Sequence, residues 1–291
     1  MKKFKNIVPY LLLIFSTLIC AGMVFYNHLP QWYSKWETAN PAYGQKYKIY
    51  KVKKPVYNTN FTPPTTTSEK VNGLLKNNLA GVKYLGTIRT MDKHLNCNIY
   101  EGLSNAILDT GNAGCYPGFN LDKGNSTIAA HTYSVLGWHF YDGFTMMQLE
   151  LNKGDHVYIY NGNDKYYDYT VMDKQIIDAR TGGYITDPKR SDDKKVNPTG
   201  APMLTMFDCY EPTNGTYIEE PTQRNVAFLH QEHVYTKSDA PSKIKKLFEG
   251  LPTYIYKDNK VKVKDAPKSK DMWWLDFLFE TLKVQKIIHI K

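Results

Sequence analysis

Between Val82 and about Tyr235 the chain is broken into short runs of β-branched and aromatic residues separated by turn-formers, and this pattern leaves few folds open. The runs are Val82-Lys-Tyr-Leu-Gly-Thr-Ile88, Cys97-Asn-Ile-Tyr100, Ser126-Thr-Ile-Ala-Ala130, Asp155-His-Val-Tyr-Ile-Tyr160, Tyr166-Tyr-Asp-Tyr-Thr-Val-Met172, Met203-Leu-Thr-Met-Phe207 and Asn225-Val-Ala-Phe-Leu229. Each is the length of a strand rather than a helix, and its residue types favour a pleated, half-buried surface. Asn161-Gly-Asn-Asp164 between the fourth and fifth runs is a hairpin signal. Closely spaced strands of this kind build a barrel or a sandwich. One helix is expected to interrupt them between His131 and Leu151, and a Gly-, Pro-, Asp- and Lys-rich loop runs from about Ala179 to Pro202. A loop of that length inside a compact domain is functional or disordered.

What precedes this region sets where it works. Lys2, Lys3 and Lys5 stand before an apolar run from Ile7 to about Tyr26. About 20 apolar residues in a helix span a bilayer core, and flanking lysines hold their end in the cytoplasm. The rival reading is a cleaved signal peptide, with an apolar core of about 7–15 residues before a small-x-small site. Met23, Val24 and Phe25 continue the run past Ala21 and Gly22, which favours an uncleaved anchor. Thr17-Leu-Ile-Cys20 resembles a lipoprotein signal only loosely, because Ile19 stands where a small residue is usual. The expected organisation is a cytoplasmic N-terminus (1–6), a transmembrane anchor (7–26), an extracellular stalk (27–67), a β-rich domain (68–237) and a basic, weakly structured extension (238–291). The stalk is rich in Lys, Tyr, Asn, Pro and Thr, and neither helical nor strand periodicity lasts in it. Ser68 to Leu79 reads as a short capped helix with Val71, Leu74 and Leu75 on one face. In the extension, Trp274, Leu275, Leu278 and Leu282 share a helical face, far short of a second span.

The net charge of +9 suits a surface beside anionic membranes and wall polymers. No nucleic-acid-binding motif accompanies it, so no nucleic-acid partner is expected. Of four cysteines, Cys20 lies in the apolar run and Cys97, Cys115 and Cys209 lie beyond it. Three is odd, so at least one thiol lacks an intramolecular partner, and a Cys97–Cys115 disulfide rests on count alone. The spacings fit no zinc finger or ribbon.

A cysteine nucleophile needs a histidine to take and return a proton, and a donor or cation for the tetrahedral oxyanion. His131 follows an apolar strand, Cys209 ends another, and Arg224 begins the strand after the turn residues Glu211-Pro-Thr-Asn-Gly215. A Cys209–Arg224 hairpin brings the cation beside the sulfur. Such a triplet alone is weak evidence, but its local words are more specific. Ser126-Thr-Ile-Ala-Ala-His131 resembles the small-apolar run ending in Gly-His that carries the histidine of sortases. Leu204-Thr-Met-Phe-Asp-Cys209 resembles their Thr-Leu-x-Thr-Cys signature, and Arg224-Asn-Val-Ala-Phe228 the strand carrying their arginine. Asn98-Ile-Tyr-Glu-Gly102 and Gly111-Asn-Ala-Gly-Cys-Tyr-Pro-Gly118 are also similar to sortase segments. The resemblance covers roughly residues 70–237, and the N-terminal anchor without a C-terminal span looks most like class A.

The resemblance implies a mainly β fold, an eight-stranded sortase-type β-barrel with short helices, preceded by one N-terminal transmembrane helix. It implies a cysteine transpeptidase at the plasma membrane of a Gram-positive bacterium, with its catalytic domain outside. Its substrates would be surface proteins with a Leu-Pro-x-Thr-Gly-like sorting signal, cut between Thr and Gly. Its acceptor would be a peptidoglycan-precursor amine. Cys209 would form the thioacyl-enzyme, His131 would protonate the leaving amine, and Arg224 would bind substrate backbone or the oxyanion. No cofactor and no metal are implied.

The sequence departs from the family pattern in places: Asp208 stands in place of the second Thr, Met206 in place of Leu, and Ala130 in place of Gly, the 179–202 loop is longer than is usual in class A, and the 238–291 extension lies outside the family core. Strand alternation puts Asp208 on the face opposite Cys209, with a structural role and a Lys, Arg, Tyr or backbone amide as partner. His94, His139 and His156 carry no motif, and His230-Gln-Glu-His233 is a chance spacing. Asp187, Asp192 and Asp193 suit a hard cation, but Lys189, Arg190, Lys194 and Lys195 offset them and a solvated loop is expected. Two other classes compete. An L,D-transpeptidase carries its cysteine in a Ser/His-Gly-Cys context, which Phe207-Asp-Cys-Tyr210 does not match. A catalytically idle binding barrel is opposed by the intact His131, Cys209 and Arg224.

Overall fold

The computed structural model describes residues 13–17, 19–20, 22–23, 49–57, 79–92, 95–132, 134–135, 138–139, 144, 147, 150–210 and 222–264. In chain order the elements are β1 (Ile49–Lys51), β2 (Tyr84–Arg89), β3 (Asn96–Tyr100), α1 (Asn105–Leu108), β4 (Ala113–Cys115), β5 (Asn125–Ala129), β6 (Ser134–Val135), β7 (Trp138–His139), β8 (His156–Tyr160), β9 (Lys165–Asp178), β10 (Met203–Cys209), β11 (Gln223–Thr236), α2 (Ser242–Leu247), β12 (Thr253–Lys257) and β13 (Lys260–Lys264). Eight of the strands close a barrel in the order β10-β11-β9-β8-β2-β3-β4-β5. Closure leaves no sheet edge. The barrel is the expected one, and every strand run read in the sequence lies in it.

Alternation sorts the strand residues into two apolar layers. Ile88, Cys97, Ile99, Ile128, Ala130, Leu204, Met206, Ala227 and Leu229 fill the interior. Ala129, Phe207, Val226 and Phe228 face outward, beneath Ile107 and Leu108 of α1 and Ile185 of the long loop. Burying aliphatic side chains of this size contributes about 1.5–3 kcal/mol each, so both layers specify register. A one-residue slip of β10 would exchange them. The Asn161 turn joins β8 to β9 as expected, its side-chain oxygen accepting from the amides of Asn163, Asp164 and Lys165 at 3.0–3.1 Å.

The regions flanking the barrel differ from expectation. Residues 49–51, read as part of a featureless stalk, form β1, which pairs antiparallel with β13. Residues 238–264, read as a weakly structured extension, fold into α2, β12 and β13. Ile244, Leu247 and Phe248 pack α2 against Tyr158, Tyr160 and Tyr166 of the barrel. Val261 and Val263 bury one face of β13, and Tyr254 stacks on Tyr84 with ring centres 4.2 Å apart. Gly162 fits this junction for two reasons: its φ is +76°, and a Cβ there would meet the Tyr84 ring at 2.5 Å.

The long loop keeps Asp187, Asp192, Asp193 and the lysines beside them exposed, as expected, while its apolar and amide side chains dock on the barrel. It holds two 3₁₀ turns, Gly182–Thr186 and Pro188–Asp192, and buries Ile185, Ser191 and Asn197. Asn125 donates to the carbonyls of Ile185 and Asp187, and the Arg190 guanidinium lies 4.4 Å from the centre of the Phe228 ring.

The expected helix between His131 and Leu151 falls mostly outside the described residues. Those described include the two-stranded ribbon β6–β7 and a helical position at Met147. The helix at 68–79 and the aromatic segment at 272–282 also lie outside, as does most of the apolar run at 7–26. Within that run, residues 13–17, 19–20 and 22–23 are helical, and among the described residues no helix is long and apolar enough to cross a membrane.

Candidate active site

Three adjacent strand ends bring the three expected residues together. β5 runs parallel to β10, with Ala129 beside Phe207. The register continues past the strand: Ala130 N–H donates to the Phe207 carbonyl at 3.3 Å, and the Thr132 hydroxyl donates to the Cys209 carbonyl at 2.9 Å. His131 therefore lies level with Cys209. On the other side β10 pairs antiparallel with β11, and Arg224 is the cross-strand partner of Cys209. The parity that sends Ala129, Phe207 and Val226 outward sends His131, Cys209 and Arg224 to the same outer face.

Their environments differ. His131 is buried, with 1 % of its surface exposed, whereas Cys209 at the strand end is half-buried. Arg224 is also half-buried and donates from Nη1 to the Gln223 carbonyl at 3.0 Å. Tyr116 packs on Phe207, with ring centres 5.7 Å apart. Burial raises its phenol pKa, and the nearby Arg224 charge opposes that rise. Half-exposure of the thiol suits a nucleophile that an extended peptide must reach.

Asp208 turns inward. It is 1 % exposed, and its carboxylate accepts from the Thr132 hydroxyl at 2.6 Å and from the Asn225 amide at 3.0 Å. A hydroxyl and a side-chain amide are thus two of its partners, beside the Lys, Arg, Tyr or backbone amide that was expected. A cation is still within electrostatic reach. Burial lowers the Lys174 pKa, and the Asp208 charge works against that. Lys174 Nζ also donates to the carbonyls of Met147 and Leu151 at 2.8 and 2.6 Å.

The other cysteines have no such setting. Cys97 and Cys115 are buried, and the disulfide that their count allowed is not formed. Burial pushes the Cys115 thiol up to about 11, away from the thiolate needed for reaction. Among the described residues no cluster of three or more His, Cys, Asp or Glu is arranged to hold a metal ion. His230 instead faces Glu232, and His156 faces Asp168. Two surface clefts, one around Tyr158 and Leu151 and one around Tyr166 and Phe248, are lined by none of the three site residues.

Some residues at this site carried no signal in the sequence. Thr132 and Asn225 are marked only by position, one step beyond His131 and Arg224. Asp109, whose Oδ1 lies 3.5 Å from His131 Nε2, sits in no recognisable word.

Comparison with known proteins places the chain in a family. The family model for the Sortase domain matches residues 87–232, which takes in His131, Cys209 and Arg224. Sortase A of Listeria monocytogenes aligns with 57% of this chain and 96% of its own length, at 21% identity and a TM-score of 0.43. The SrtA sortase of Actinomyces oris aligns with 55% of this chain and 87% of its own, at 20% identity and a TM-score of 0.43. Sortase E of Streptomyces avermitilis aligns with 56% and 97%, at 18% identity and a TM-score of 0.39. No curated protein sequence matches. With half of its length covered by the family model, and a barrel of the expected closure, the chain belongs to the sortase family of cysteine transpeptidases.

Proposed function

We propose that this sortase is held in a membrane by its N-terminal apolar run and joins surface proteins to the cell wall of a Gram-positive bacterium. It cuts a Leu-Pro-x-Thr-Gly-like signal between Thr and Gly, as class A enzymes do. The observation that carries the reading is the shared outward face of His131, Cys209 and Arg224 on three hydrogen-bonded strands. The apolar run and the three lysines before it support the anchor and its orientation.

In this reading the Cys209 thiolate attacks the Thr carbonyl carbon. Arg224 offsets the negative charge on the tetrahedral oxygen or fixes the substrate backbone. The C–N bond breaks as protonated His131 gives its proton to the departing Gly amine. A thioester on Cys209 remains. The acceptor amine of a peptidoglycan precursor attacks it, His131 takes the surplus proton, and the Cys209 sulfur leaves. One acyl bond is exchanged for another, with no net redox change.

The test is incubation of the full chain in detergent with a Leu-Pro-x-Thr-Gly peptide and a small amine acceptor, followed by mass spectrometry. The expected product is the peptide truncated after Thr and joined to the amine, with an acyl adduct on Cys209 trapped early. Peptide left intact over hours, with the protein folded, sinks the substrate assignment. Product formed equally by Cys209→Ala sinks the mechanism.

A further inference from the structure

The role of His131 requires an imidazole held in one orientation, and the described residues contain one carboxylate placed to do this. Asp109 follows directly on α1, where its backbone N–H donates to the Asn105 carbonyl at 2.8 Å. Ile107 and Leu108 bury α1 in the outer apolar layer, the same layer as Ala129 and Phe207 on the strands that carry His131 and Cys209. The Thr110 hydroxyl donates to the Ile107 carbonyl at 2.7 Å and so fixes the turn that follows. Asp109 is thereby delivered over the site strands, and its Oδ1 comes 3.5 Å from His131 Nε2.

Nothing in the helix explains an acid at this position. The C-terminal end of a helix carries partial negative charge and disfavours a carboxylate. Asp109 Oδ1 is shut off from solvent and makes no hydrogen bond among the described residues. A buried carboxylate oxygen in that state is costly unless a cation or donor faces it, and the group it faces is the ring edge of His131. The cost falls when that ring is protonated, which is the state the transfer to the leaving amine requires.

We propose that Asp109 is the positioning residue of His131. Its Oδ1 faces the Nε2 edge of the ring and stabilises the imidazolium. The inference rests on the proposed role of His131 and adds a third member behind it. The logic is that of a carboxylate behind a catalytic imidazole, where Asp→Asn lowers kcat by about 10⁴ in a serine protease. The longer contact here sets the expectation at about 10².

The experiment compares wild type with Asp109→Asn and Asp109→Glu in the full chain. It reads peptide-transfer kinetics, the ¹⁵N signals of His131, and the rate at which iodoacetamide alkylates Cys209. Asp109→Asn is expected to lower kcat about 10²-fold with KM within about twofold, to move the His131 Nε2 signal, and to slow alkylation. Asp109→Glu keeps the charge and is expected to recover at least tenfold of the lost rate. The spectral and alkylation arms need no peptide, so they decide the role of Asp109 even where the sorting-signal assignment fails. A His131 spectrum unchanged by Asp109→Asn overturns the proposal. So does a kcat within about threefold of wild type, or equal impairment of both variants with matching losses in melting temperature.

Discussion

The outward and inward faces of the β5, β10 and β11 strand ends offer polar groups opposite surroundings, and neighbouring residues divide between them. Outward, Cys209 is half-buried and shares its face with a histidine and an arginine. Inward, Asp208 is closed off and held by Thr132 and Asn225, one donor from each flanking strand. The pleat makes the division. The same pairings that align His131, Cys209 and Arg224 outside align Thr132, Asp208 and Asn225 inside. The inner set ties the three strand ends together, so it fixes the spacing on which the outer set depends. The departure of this chain from the family word, an acid immediately before Cys209, is thus absorbed on the side away from the sulfur.

The largest expected effects belong to the outer face. Cys209→Ala should abolish peptide transfer. His131→Ala should lower the rate by about 10²–10⁴, the usual worth of a general acid. Arg224→Ala should cost about 10²–10³, as for an oxyanion donor. Arg224→Lys should rescue incompletely, because an ammonium cannot reproduce a planar fork. Cys209→Ala and the Arg224 variants should melt within a few degrees of wild type, whereas His131→Ala removes a buried ring and should melt lower. Cys97→Ala and Cys115→Ala should remain active, and of Cys97, Cys115 and Cys209 native alkylation at pH 8 should mark Cys209 alone. With its thiol at about 11 instead of 9.0, Cys115 carries about a hundredfold less thiolate there, before burial is counted. Retained activity in Cys209→Ala, or loss of it in folded Cys97→Ala, breaks the assignment of the face.

The inner face should respond in stability first. Asp208→Ala leaves the Asn225 amide facing a void and the Thr132 hydroxyl with the Cys209 carbonyl as its remaining acceptor. Hydrogen bonds to a charged group contribute about 1.5–3 kcal/mol each and do not add fully, so a loss of about 3 kcal/mol is expected. For a domain of this size that lowers Tm by about 6–12 °C. Asp208→Thr, which restores the family residue, should lose less and leave the pH at which Cys209 alkylates within about one unit. A large drop in that pH on Asp208→Thr, with Tm unchanged, would place Asp208 on the outer face and dissolve the division.

Legibility in the sequence follows the same split. His131, Cys209 and Arg224 stand in contiguous words whose strand pattern and chemistry reinforce each other. Alternation then predicts the inward turn of Asp208 from the position of Cys209 alone. The nature of its donors was not predictable in the same way. Thr132 and Asn225 acquire their role from the register between strands, which is a tertiary property. Asp109 is less legible still. It is brought to His131 by the packing of α1, whose four residues are too few to show a period. The barrel strands were readable because β-branched and aromatic residues alternate in them. β1 was not, because three residues cannot show a period and their partner, β13, lies some two hundred residues later. In β13 the Lys-Val-Lys-Val-Lys alternation was present, but it was masked by a stretch dominated by lysine.

That flanking sheet supplies the smallest expected effect and marks where the comparison ends. Tyr256 on β12 accepts from the Tyr84 amide at 2.8 Å and donates to the Tyr84 carbonyl at 3.1 Å, so one hydroxyl satisfies both backbone groups of a β2 residue. Burial raises its phenol pKa, as expected for a hydroxyl enclosed at this junction. Tyr256→Phe removes the hydroxyl, keeps the ring and leaves the Tyr84–Tyr254 stack in place. Two neutral hydrogen bonds are lost at about 0.5–1.5 kcal/mol each, and the Tyr84 amide and carbonyl then lack that partner. A loss of about 1–2 kcal/mol is expected, or about 2–8 °C in Tm, with peptide-transfer kinetics unchanged. The neutrality in rate follows from position, since β2 pairs with β3 and β8 and contributes none of the strand ends that carry His131, Cys209 and Arg224. If Tyr256→Phe instead slows transfer tenfold without lowering Tm, the flanking sheet is coupled to the active site.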